Sequence, residues 1–465
     1  MKTLFFSLSS SDVFKNFFFF PDGVFDKMKK FLKENRDWRV VFVMPADKAK
    51  NYELSLTEKL KDELGKQWFL ESVKISDFIN TIQRIFYFFY SYLVFTGTTK
   101  TLATMGMRPE DAPGAGRRIL SPLKILIANT FGRLKFIKVR VVPYLYHKIF
   151  INNPFFSIFE KYQPIKIFAP NLFNRFDMEF LAEAKKRGIE TVGMVTGWDH
   201  FDKYFLPFQV DTLLAQSEQI KGFATRYQAY NSSKVFVVGY PYFDFIVRND
   251  YFKERNEVLK DLNFPLNSKY ILYIAGSMYC PDEPDIIETL IKWADDNKFN
   301  QDVRLVIRPY PGGRGKDRAF DEDKFNSFKE HPRVSFQTGK FWGNLERTAH
   351  FLNVMRHADA VIAVYSTAVL EAAVFDKPLL TISFDGYNKR PFSRSVKRFE
   401  LREHFKDVLK SGALKRAASF EELFNFLNDY LKNPELDKEK REVLRKELVC
   451  KLDGKTSDRV FSYLF

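Results

Sequence analysis

The chain has 465 residues and a net charge of +15, and 45% of its residues are hydrophobic. This length predicts two or three domains with large cores, and the composition excludes a disordered chain. Two cysteines exclude a disulfide framework, and six histidines without ligand spacing give no support for a zinc site.

Short apolar segments alternate with helical patterns through the first half of the chain. Strands are predicted at Thr3–Leu8, Arg39–Met44, Lys166–Ala169, Glu190–Val195, Thr212–Ala215 and Lys234–Val238. Helices are predicted at Gly23–Glu34 and at Met178–Arg187, where Gly188 is a plausible C-cap. Strands that alternate with helices indicate a parallel sheet with right-handed crossovers.

The region from about 76 to 143 departs from this alternation and is predicted to be a helical insertion in the first domain. Its segment Ile85–Phe95 is rich in aromatic residues but too short to span a bilayer, which takes roughly 20 apolar residues. Between Arg84 and Lys148 there are eleven basic residues and only two acidic ones. This combination predicts contact with an anionic membrane surface. A plain core helix is the alternative for the aromatic residues, and nucleic acid is not predicted because its binding motifs are absent.

The alternation restarts after a break near Gly239–Leu266, beginning with a polar helix at Lys253–Asp261. Strands are predicted at Tyr270–Ala275, Arg304–Ile307, Val334–Gln337, Val361–Val364 and Leu379–Ile382. Helices are predicted at Ile286–Asp296, Leu345–His357 and Ala368–Phe375. The predicted fold class is therefore α/β, with two Rossmann-like doubly wound domains at 1–240 and 241–465.

The loops after the strands of the second domain carry its candidate site, because open parallel sheets bind ligands beyond the carboxyl ends of their strands. These loops combine small residues, hydroxyls, backbone amides and one arginine, a chemistry that suits a diphosphate. Residues predicted to bind the donor are Gly276, Ser277, Arg308, Tyr310, Thr338, Tyr365, Ser366, Thr367 and Glu371. The alternatives are an ordinary capped helix after Thr367 and a structural ion pair for Arg308. The loop Gly312–Lys316 lacks the spacing of a phosphate loop and is predicted to lie on the surface.

In the first domain, the loop Thr196–His200 follows a predicted strand and places two titratable groups side by side. Asp199 is the first candidate for a general base and His200 the second. Trp198 offers an apolar wall to an acceptor, and the hydroxyls of Ser10 and Ser11 could contact the same molecule. A turn aspartate that caps the next segment is the alternative for Asp199.

The ordered segments GWDH, VVGYPYFD, YIAGS, VIRPYP and ADAVIAVYSTAVLEAAVFDKPLLTISFDG resemble glycosyltransferases of the GT-B fold. Within that group they are most similar to bacterial surface-polysaccharide enzymes related to CDP-glycerol glycerophosphotransferases, over about Lys166–Gly386. The resemblance implies two Rossmann-like domains that face each other across a cleft, an acceptor on the first domain, a nucleotide-activated donor on the second, and no metal. It also implies that a last helix-like segment, Lys438–Leu452, crosses back onto the first domain.

The resemblance assigns roles to several of the same residues. Ser366 and Thr367 match the position that binds the diphosphate, and Glu371 matches an acidic residue that meets ribose or sugar hydroxyls. Arg308 matches the basic residue of an Arg-Pro-His-Pro-like motif in which Tyr310 replaces the histidine. Two glutamates eight residues apart, a pattern of retaining enzymes, are missing because Ala363 stands eight residues before Glu371. Inversion at the anomeric carbon is therefore expected.

The predicted function is metal-independent transfer of a sugar from a nucleotide-activated donor to a hydroxyl of a polyprenyl-linked or other membrane-linked surface glycan, without a cofactor. One alternative is a CDP-glycerol- or ribitol-type polyol-phosphate transferase or a nucleotide-sugar epimerase. Another is a non-catalytic GT-B-like protein that binds a glycan or a membrane. Because the chain shows no secretory leader and no spanning segment, the expected location is the cytoplasm, peripheral on the inner face of the cytoplasmic membrane.

Overall fold

We describe the protein from a computed structural model that covers residues 1–49, 67–76, 79–102, 120–248, 250–277, 279–310, 321, 323–338 and 345–465. The chain divides into two compact units. Of the described residues, 1–96, 120–245 and 450–465 form the first unit, and 97–102 and 246–449 form the second.

The first unit is built on a parallel sheet. Its strands among the described residues are β1 (Lys2–Ser7), β2 (Trp38–Pro45), β3 (Trp68–Val73), β4 (Lys166–Ala169), β5 (Glu190–Met194), β6 (Thr212–Ala215) and β7 (Val235–Val237). They lie in the order β3-β2-β1-β4-β5-β6-β7, and every neighbouring pair is parallel. The central strands are apolar because helices cover both faces of such a sheet, as the complete burial of Leu4, Phe5 and Phe6 indicates.

Helices flank this sheet. Their bounds are α1 (Ser11–Phe14, continued by a π-helix at Lys15–Phe19), α2 (Val24–Glu34), α3 (Thr81–Ser91), α5 (Ser121–Asn129), α6 (Val142–Ile149, preceded by a π-helix at Ile137–Val141), α7 (Phe156–Tyr162), α8 (Arg175–Lys186), α9 (Glu218–Arg226), α10 (Pro241–Ile246) and α18 (Thr456–Leu464). Short 3₁₀ turns lie at Phe131–Arg133 and Ser232–Lys234.

The second unit repeats the same plan. Its strands among the described residues are β8 (Lys269–Ile274), β9 (Val303–Arg308), β10 (Val334–Phe336), β11 (Ala360–Ala363), β12 (Leu379–Ile382) and β13 (Leu414–Ala417). They are parallel and lie in the order β10-β9-β8-β11-β12-β13. In both sheets the strand order reverses next to the first strand of the unit, and this switch point is where doubly wound sheets bind ligands.

The helices of the second unit complete its layers. Their bounds are α4 (Gly97–Leu102), α11 (Arg255–Asp261), α12 (Glu283–Asp295), α13 (Leu345–His357), α14 (Ala368–Val374), α15 (Glu403–Ser411), α16 (Phe420–Lys432) and α17 (Lys438–Leu444, continued by a π-helix at Arg445–Val449). Further 3₁₀ turns lie at Asn326–Phe328 and Val396–Leu401.

The predicted fold class is confirmed, because both units are Rossmann-like α/β layers with parallel sheets. The two strands that the sequence did not predict, β3 and β13, are both edge strands. Edge strands bury less of their side-chain surface than inner strands. The sequences of β3 (WFLESV) and β13 (LKRA) accordingly mix charged with apolar residues.

Two segments lie apart in sequence from the rest of their unit, and the expected crossing at Lys438–Leu452 begins later, since residues up to Val449 belong to the second unit. Helix α4 belongs to the second unit, whereas the prediction placed the whole insertion in the first domain. Gly97 in α4 packs so closely on the second unit that a Cβ atom there would lie 1.7 Å from the carbonyl oxygen of Leu401. The C-terminal helix α18 belongs to the first unit, where the buried carboxylate of Asp244 accepts the backbone N–H groups of Thr456 and Ser457 at 2.9 and 2.7 Å.

Among the helices that the structure describes, none is both long and apolar enough to cross a membrane.

Candidate functional site

The switch point of the second unit lies between β8 and β11, and the loops after these strands are in contact. The backbone N–H of Val364 donates to the carbonyl of Ile274 at 3.2 Å. A Cβ atom on Gly276 would lie 3.4 Å from the Val364 side chain and 2.6 Å from Sγ of Cys280. A residue larger than glycine at this position would therefore collide with the side chain of Cys280.

A buried ion pair fixes the loop that contains Gly276. Its N–H donates to Oε1 of Glu283 at 2.8 Å, and its carbonyl accepts from Nζ of Lys324 at 2.8 Å. Lys324 also bonds Oε2 of Glu283 at 2.6 Å. Because the amide of Gly276 is engaged inside the protein, half-buried Ser277 is the neighbouring position with exposed surface.

Arg308 ends β9, beside the same loop. Its carbonyl accepts the N–H of Ala275 at 3.0 Å. Its side chain is 8% exposed, and the guanidinium carbon lies 3.7 Å from the ring centroid of Phe351 on α13. Stacking on an aromatic face holds the cation in place without neutralising its charge.

The donor candidates that follow β9 and β10 are less enclosed. Tyr310 is exposed two residues after Arg308. Thr338 is exposed after β10, beyond Gln337, whose N–H bonds the carbonyl of Ile307 on β9 at 2.9 Å. The loop Gly312–Lys316 lies outside the described residues. The donor-binding roles of Tyr310 and Thr338 stay predictions.

Tyr365 turns the chain sharply after β11. Its φ is +45°, a left-handed conformation that costs free energy in a residue with a side chain. The ring is buried against Phe405 at a centroid distance of 5.4 Å, and its hydroxyl donates to Glu400 at 3.2 Å. The side chain of Tyr365 thus anchors the loop, and its contact with a donor stays a prediction.

The next two residues begin α14 differently from the predicted cap. The hydroxyl of Ser366 accepts the N–H of Ala368 at 3.3 Å, whereas Thr367 makes no capping bond and is exposed. Glu371 is partly exposed in the first turn of the helix. The hydroxyl of Thr367 is thus at the surface of the loop that was predicted to hold a diphosphate.

Arg402 was missed by sequence reasoning. It donates from Nη1 to the carbonyl of Tyr365 at 3.4 Å and stacks on Phe399 at 4.5 Å. Arg402 follows the 3₁₀ turn Val396–Leu401, and no sequence motif connects it with a loop 37 residues earlier. It brings a second guanidinium to the edge of the sheet that carries Arg308.

The switch point of the first unit joins the loops after β1 and β4. Asn171 donates to the hydroxyl of Ser10 at 3.3 Å and accepts the N–H of Phe173 at 3.3 Å. Phe173 stacks on His200, with 4.5 Å between ring centroids. Ser10, Asn171 and His200 therefore belong to one chain of contacts, while the side chain of Ser11 lies outside the described part of the structure.

The two candidate bases differ in their surroundings. Asp199 is 27% exposed and forms an ion pair with Lys203 at 2.5 Å. His200 accepts the N–H of Gly197 at Nδ1 over 3.4 Å, and burial lowers its pKa to about 4. At neutral pH the imidazole is therefore uncharged and a weak base.

Trp198, predicted to offer an apolar wall to an acceptor, packs inside the first unit. Its indole is buried, and its N–H donates to Oε1 of Gln219 at 2.6 Å. The side chain thus packs the loop onto α9, and any contact with an acceptor stays a prediction.

A buried carboxyl group, also missed by sequence reasoning, supports the loop after β1. Asp177 accepts the hydroxyl of Ser7 at 2.6 Å, and burial raises its pKa to about 7. Asn174 caps the helix by accepting the N–H of Asp177 at 2.9 Å. The pattern Asn174–Asp177 after a strand predicts a helix start, but only the fold reveals its contact with Ser7.

Two other features fall outside these loops. A cleft of about 370 Å³ in the first unit lies between residues 144–153 and α8, and none of the predicted site residues lines it. Within the described residues, no group of three or more His, Cys, Asp or Glu side chains could hold a metal ion.

Comparison with known proteins identifies the architecture. No family model and no curated protein sequence matches the chain. Among solved structures, MnaA of S. aureus in a co-structure with UDP is 13% identical, with a TM-score of 0.50 over 100% of this chain and 96% of that chain. A UDP-N-acetylglucosamine 2-epimerase is 12% identical, with a TM-score of 0.50 over 100% and 95% of the two chains. The chain has a GT-B-type fold.

The wall teichoic acid polymerase TagF also aligns, at 11% identity with a TM-score of 0.48 over 100% of this chain and 88% of that chain. At these identities the likeness concerns the fold.

Proposed function

We propose that the protein is a glycosyltransferase that moves a sugar from a nucleotide-activated donor to a hydroxyl of a membrane-linked surface glycan, with inversion and without a metal. The observation that supports the proposal best is at the switch point of the second unit. There, Arg308 is held over Phe351 beside the adjoining loops of Gly276 and Tyr365. A fixed guanidinium with nearby hydroxyls is suited to the diphosphate of a donor.

The proposed reaction is a single displacement. The acceptor oxygen forms a bond to the anomeric carbon while the bond from that carbon to the diphosphate breaks. The bonding electrons leave with the diphosphate, whose growing negative charge is stabilised by Arg308 and by the hydroxyls of Ser366 and Thr367. The acceptor proton passes to Asp199.

Asp199 is preferred over His200 as the base because of the contacts of the two side chains. The imidazole of His200 is occupied within its own unit, since Nδ1 accepts the N–H of Gly197 at 3.4 Å and the ring stacks on Phe173. The carboxylate of Asp199 is 27% exposed, and Lys203 pairs with it at 2.5 Å.

Epimerisation of a nucleotide sugar is the second candidate. It is favoured by the two structural neighbours with a TM-score of 0.50, of which one is named as a UDP-N-acetylglucosamine 2-epimerase and the other was solved with UDP. Because such likeness reports the fold, this candidate is decided by assay.

The experiment uses the full chain with UDP-, GDP- and CDP-linked donors. A thermal-shift screen against the free nucleotides identifies the base, because a specific ligand raises the apparent stability by mass action. Transfer is shown by two products, the released nucleoside diphosphate and a labelled glycan. Both products should still form in the presence of EDTA. An epimerised nucleotide sugar without a labelled glycan would favour the second candidate, and absence of both nucleotide binding and turnover would contradict both.

The proposed location is peripheral on the inner face of the cytoplasmic membrane, where a lipid-linked acceptor and cytoplasmic donors meet.

A further inference from the structure

The helix α3 has an apolar face that is turned to solvent. Ile82 and Ile85 are 66% and 65% exposed, whereas Phe86 and Tyr90 are buried in the first unit. Phe89 lies on the same side as Ile82 and Ile85 because positions three, four and seven residues apart share a helix face. The aromatic residues predicted to meet a membrane thus partly form core, and isoleucines are exposed beside them.

This apolar face continues onto the segment after α5. The ring of Phe89 contacts that of Phe131 with 5.5 Å between centroids. Phe131 is exposed, and its carbonyl accepts the N–H of exposed Leu134 at 3.1 Å. A Cβ atom on Gly132 would lie 2.3 Å from the carbonyl oxygen of Leu93, so this turn is seated directly on the end of α3.

The other end of α3 extends the surface further. Gln83, next to Ile82, donates to the carbonyl of Ile149 at 3.2 Å. Ile151 follows two residues later and is 78% exposed. We define the apolar surface as the exposed side chains of Ile82, Ile85, Phe131, Leu134, Phe136 and Ile151.

Exposed cations are interleaved with this surface. They are Arg84, Arg133, Lys135, Arg140 and Lys148. Neither 79–102 nor 120–153 contains an aspartate or a glutamate. Two other lysines of the region are buried, and one of them, Lys138, donates to the carbonyl of Tyr227 at 2.8 Å. The sequence from Arg133 to Phe136 alternates basic and large apolar side chains.

We infer that the apolar surface and its cations form a docking face for an anionic lipid bilayer. Apolar side chains enter the boundary between headgroups and acyl chains, while arginine and lysine pair with lipid phosphates. A nucleic acid would satisfy the cations but would leave the aliphatic side chains exposed to water. A bilayer of anionic lipids satisfies both at once.

The inference depends on these exposed side chains and is independent of the donor chemistry. It adds to the proposed function the residues that bring the enzyme to its acceptor. The test is sedimentation of the full chain with vesicles of phosphatidylcholine alone or with about 30% phosphatidylglycerol, in about 0.1 M salt.

We expect binding to the vesicles that contain phosphatidylglycerol and little binding to phosphatidylcholine alone. The double variant Ile85→Ser, Phe131→Ser should lower the partition coefficient at least about tenfold because it removes two inserted side chains. The double variant Arg133→Glu, Lys135→Glu should lower the partition coefficient at least about fivefold per site and make vesicle binding less dependent on salt. All four positions are exposed, so the fold should be retained.

Matched controls come from the second unit. Leu266→Ser, Val443→Ser removes two apolar side chains that are also exposed, and Lys329→Glu, Lys410→Glu makes the same change of charge. Both controls should bind vesicles as the parent does, and all variants should bind free nucleotide with unchanged affinity.

Three results would overturn the inference. The first is a parent chain that does not sediment with the anionic vesicles, and the second is an equal loss in the control variants. The third is light scattering that shows a dimer separated into monomers by Ile85→Ser, Phe131→Ser, since a second copy would then cover the surface. Each of these leaves nucleotide binding and turnover to be judged separately.

Discussion

The guanidinium of Arg308 lies flat against Phe351, with its central carbon 3.7 Å from the ring centroid. Arg308 ends β9, and Phe351 lies in the middle of α13, which precedes β11. The two residues are 43 positions apart, and their contact connects β9 with the helix before β11. A cation at the carboxyl edge of the sheet is thereby held by an aromatic surface.

Replacement of Arg308 tests this role. Arg308→Gln should weaken nucleotide binding about 10- to 100-fold, because a charge-assisted hydrogen bond contributes about 1.5–3 kcal/mol. The measurement is titration calorimetry with the nucleotide found in the thermal-shift screen. Arg304→Gln is the matched control, because Arg304 lies on the same strand but pairs with Asp302 at 3.1 Å. Equal affinities of the two variants would remove Arg308 from the donor site.

A second test distinguishes whether the hydroxyl of Tyr365 stabilises the fold or contacts the nucleotide. Tyr365→Phe removes only the hydroxyl that donates to Glu400, which also accepts from Arg416 at 2.8 Å. The free energy of unfolding should fall by about 1 kcal/mol, with unchanged nucleotide affinity. A loss of affinity larger than the loss of stability would instead place the hydroxyl at the donor.

The sequence was sufficient to predict the fold because the inner strands are continuous apolar runs separated by helices of regular period. Lys166–Ala169, Thr212–Ala215 and Leu379–Ile382 match their predicted bounds. The edge strands β3 and β13 were missed because half-exposed strands tolerate charged residues.

The rule that ligands bind beyond strand ends identified the loop residues Gly276 and Ser366 and the strand end at Arg308, but it gives no side-chain contacts. The hydrogen bond between Asp177 and Ser7 joins residues 170 positions apart, and that between Arg402 and Tyr365 joins residues 37 positions apart. Contacts at such separations follow from the three-dimensional packing of the layers. The sequence alone could therefore not predict that Trp198 is buried or that Arg402 reaches the loop after β11.

The proton-accepting role of Asp199 gives a third prediction. Asp199→Asn keeps the shape of the side chain but cannot take a proton, so turnover should fall about 10²- to 10⁴-fold with little change in donor affinity. Lys203→Met removes the cation that pairs with Asp199 and leaves the carboxylate. If Asp199 acts only through its ion pair with Lys203, Asp199→Asn and Lys203→Met should lose the same stability and the same turnover. Retained turnover in Asp199→Asn would exclude this residue as the base.

The buried carboxyl of Asp177 predicts how stability depends on pH. Burial raises its pKa from 3.8 to about 7. Below pH 4 the group is protonated in both the folded and the unfolded chain. Between about pH 4 and 7 only the unfolded chain loses the proton, so the free energy of unfolding falls as the pH rises. Above pH 7 the free energy of unfolding stays lower than at pH 4 by a constant amount of up to about 4 kcal/mol.

Asp177→Asn isolates this contribution because the amide does not titrate. From pH 5 to pH 8, urea unfolding should show the parent losing about 3 kcal/mol relative to Asp177→Asn. Asp453→Asn is the control, since the hydrogen bond from Arg459 lowers the pKa of Asp453 to about 2 and the group stays ionised across this range. If the parent and Asp177→Asn change in parallel between the two pH values, the carboxyl is ionised in the folded protein. The loop after β1 would then rest on a charged group.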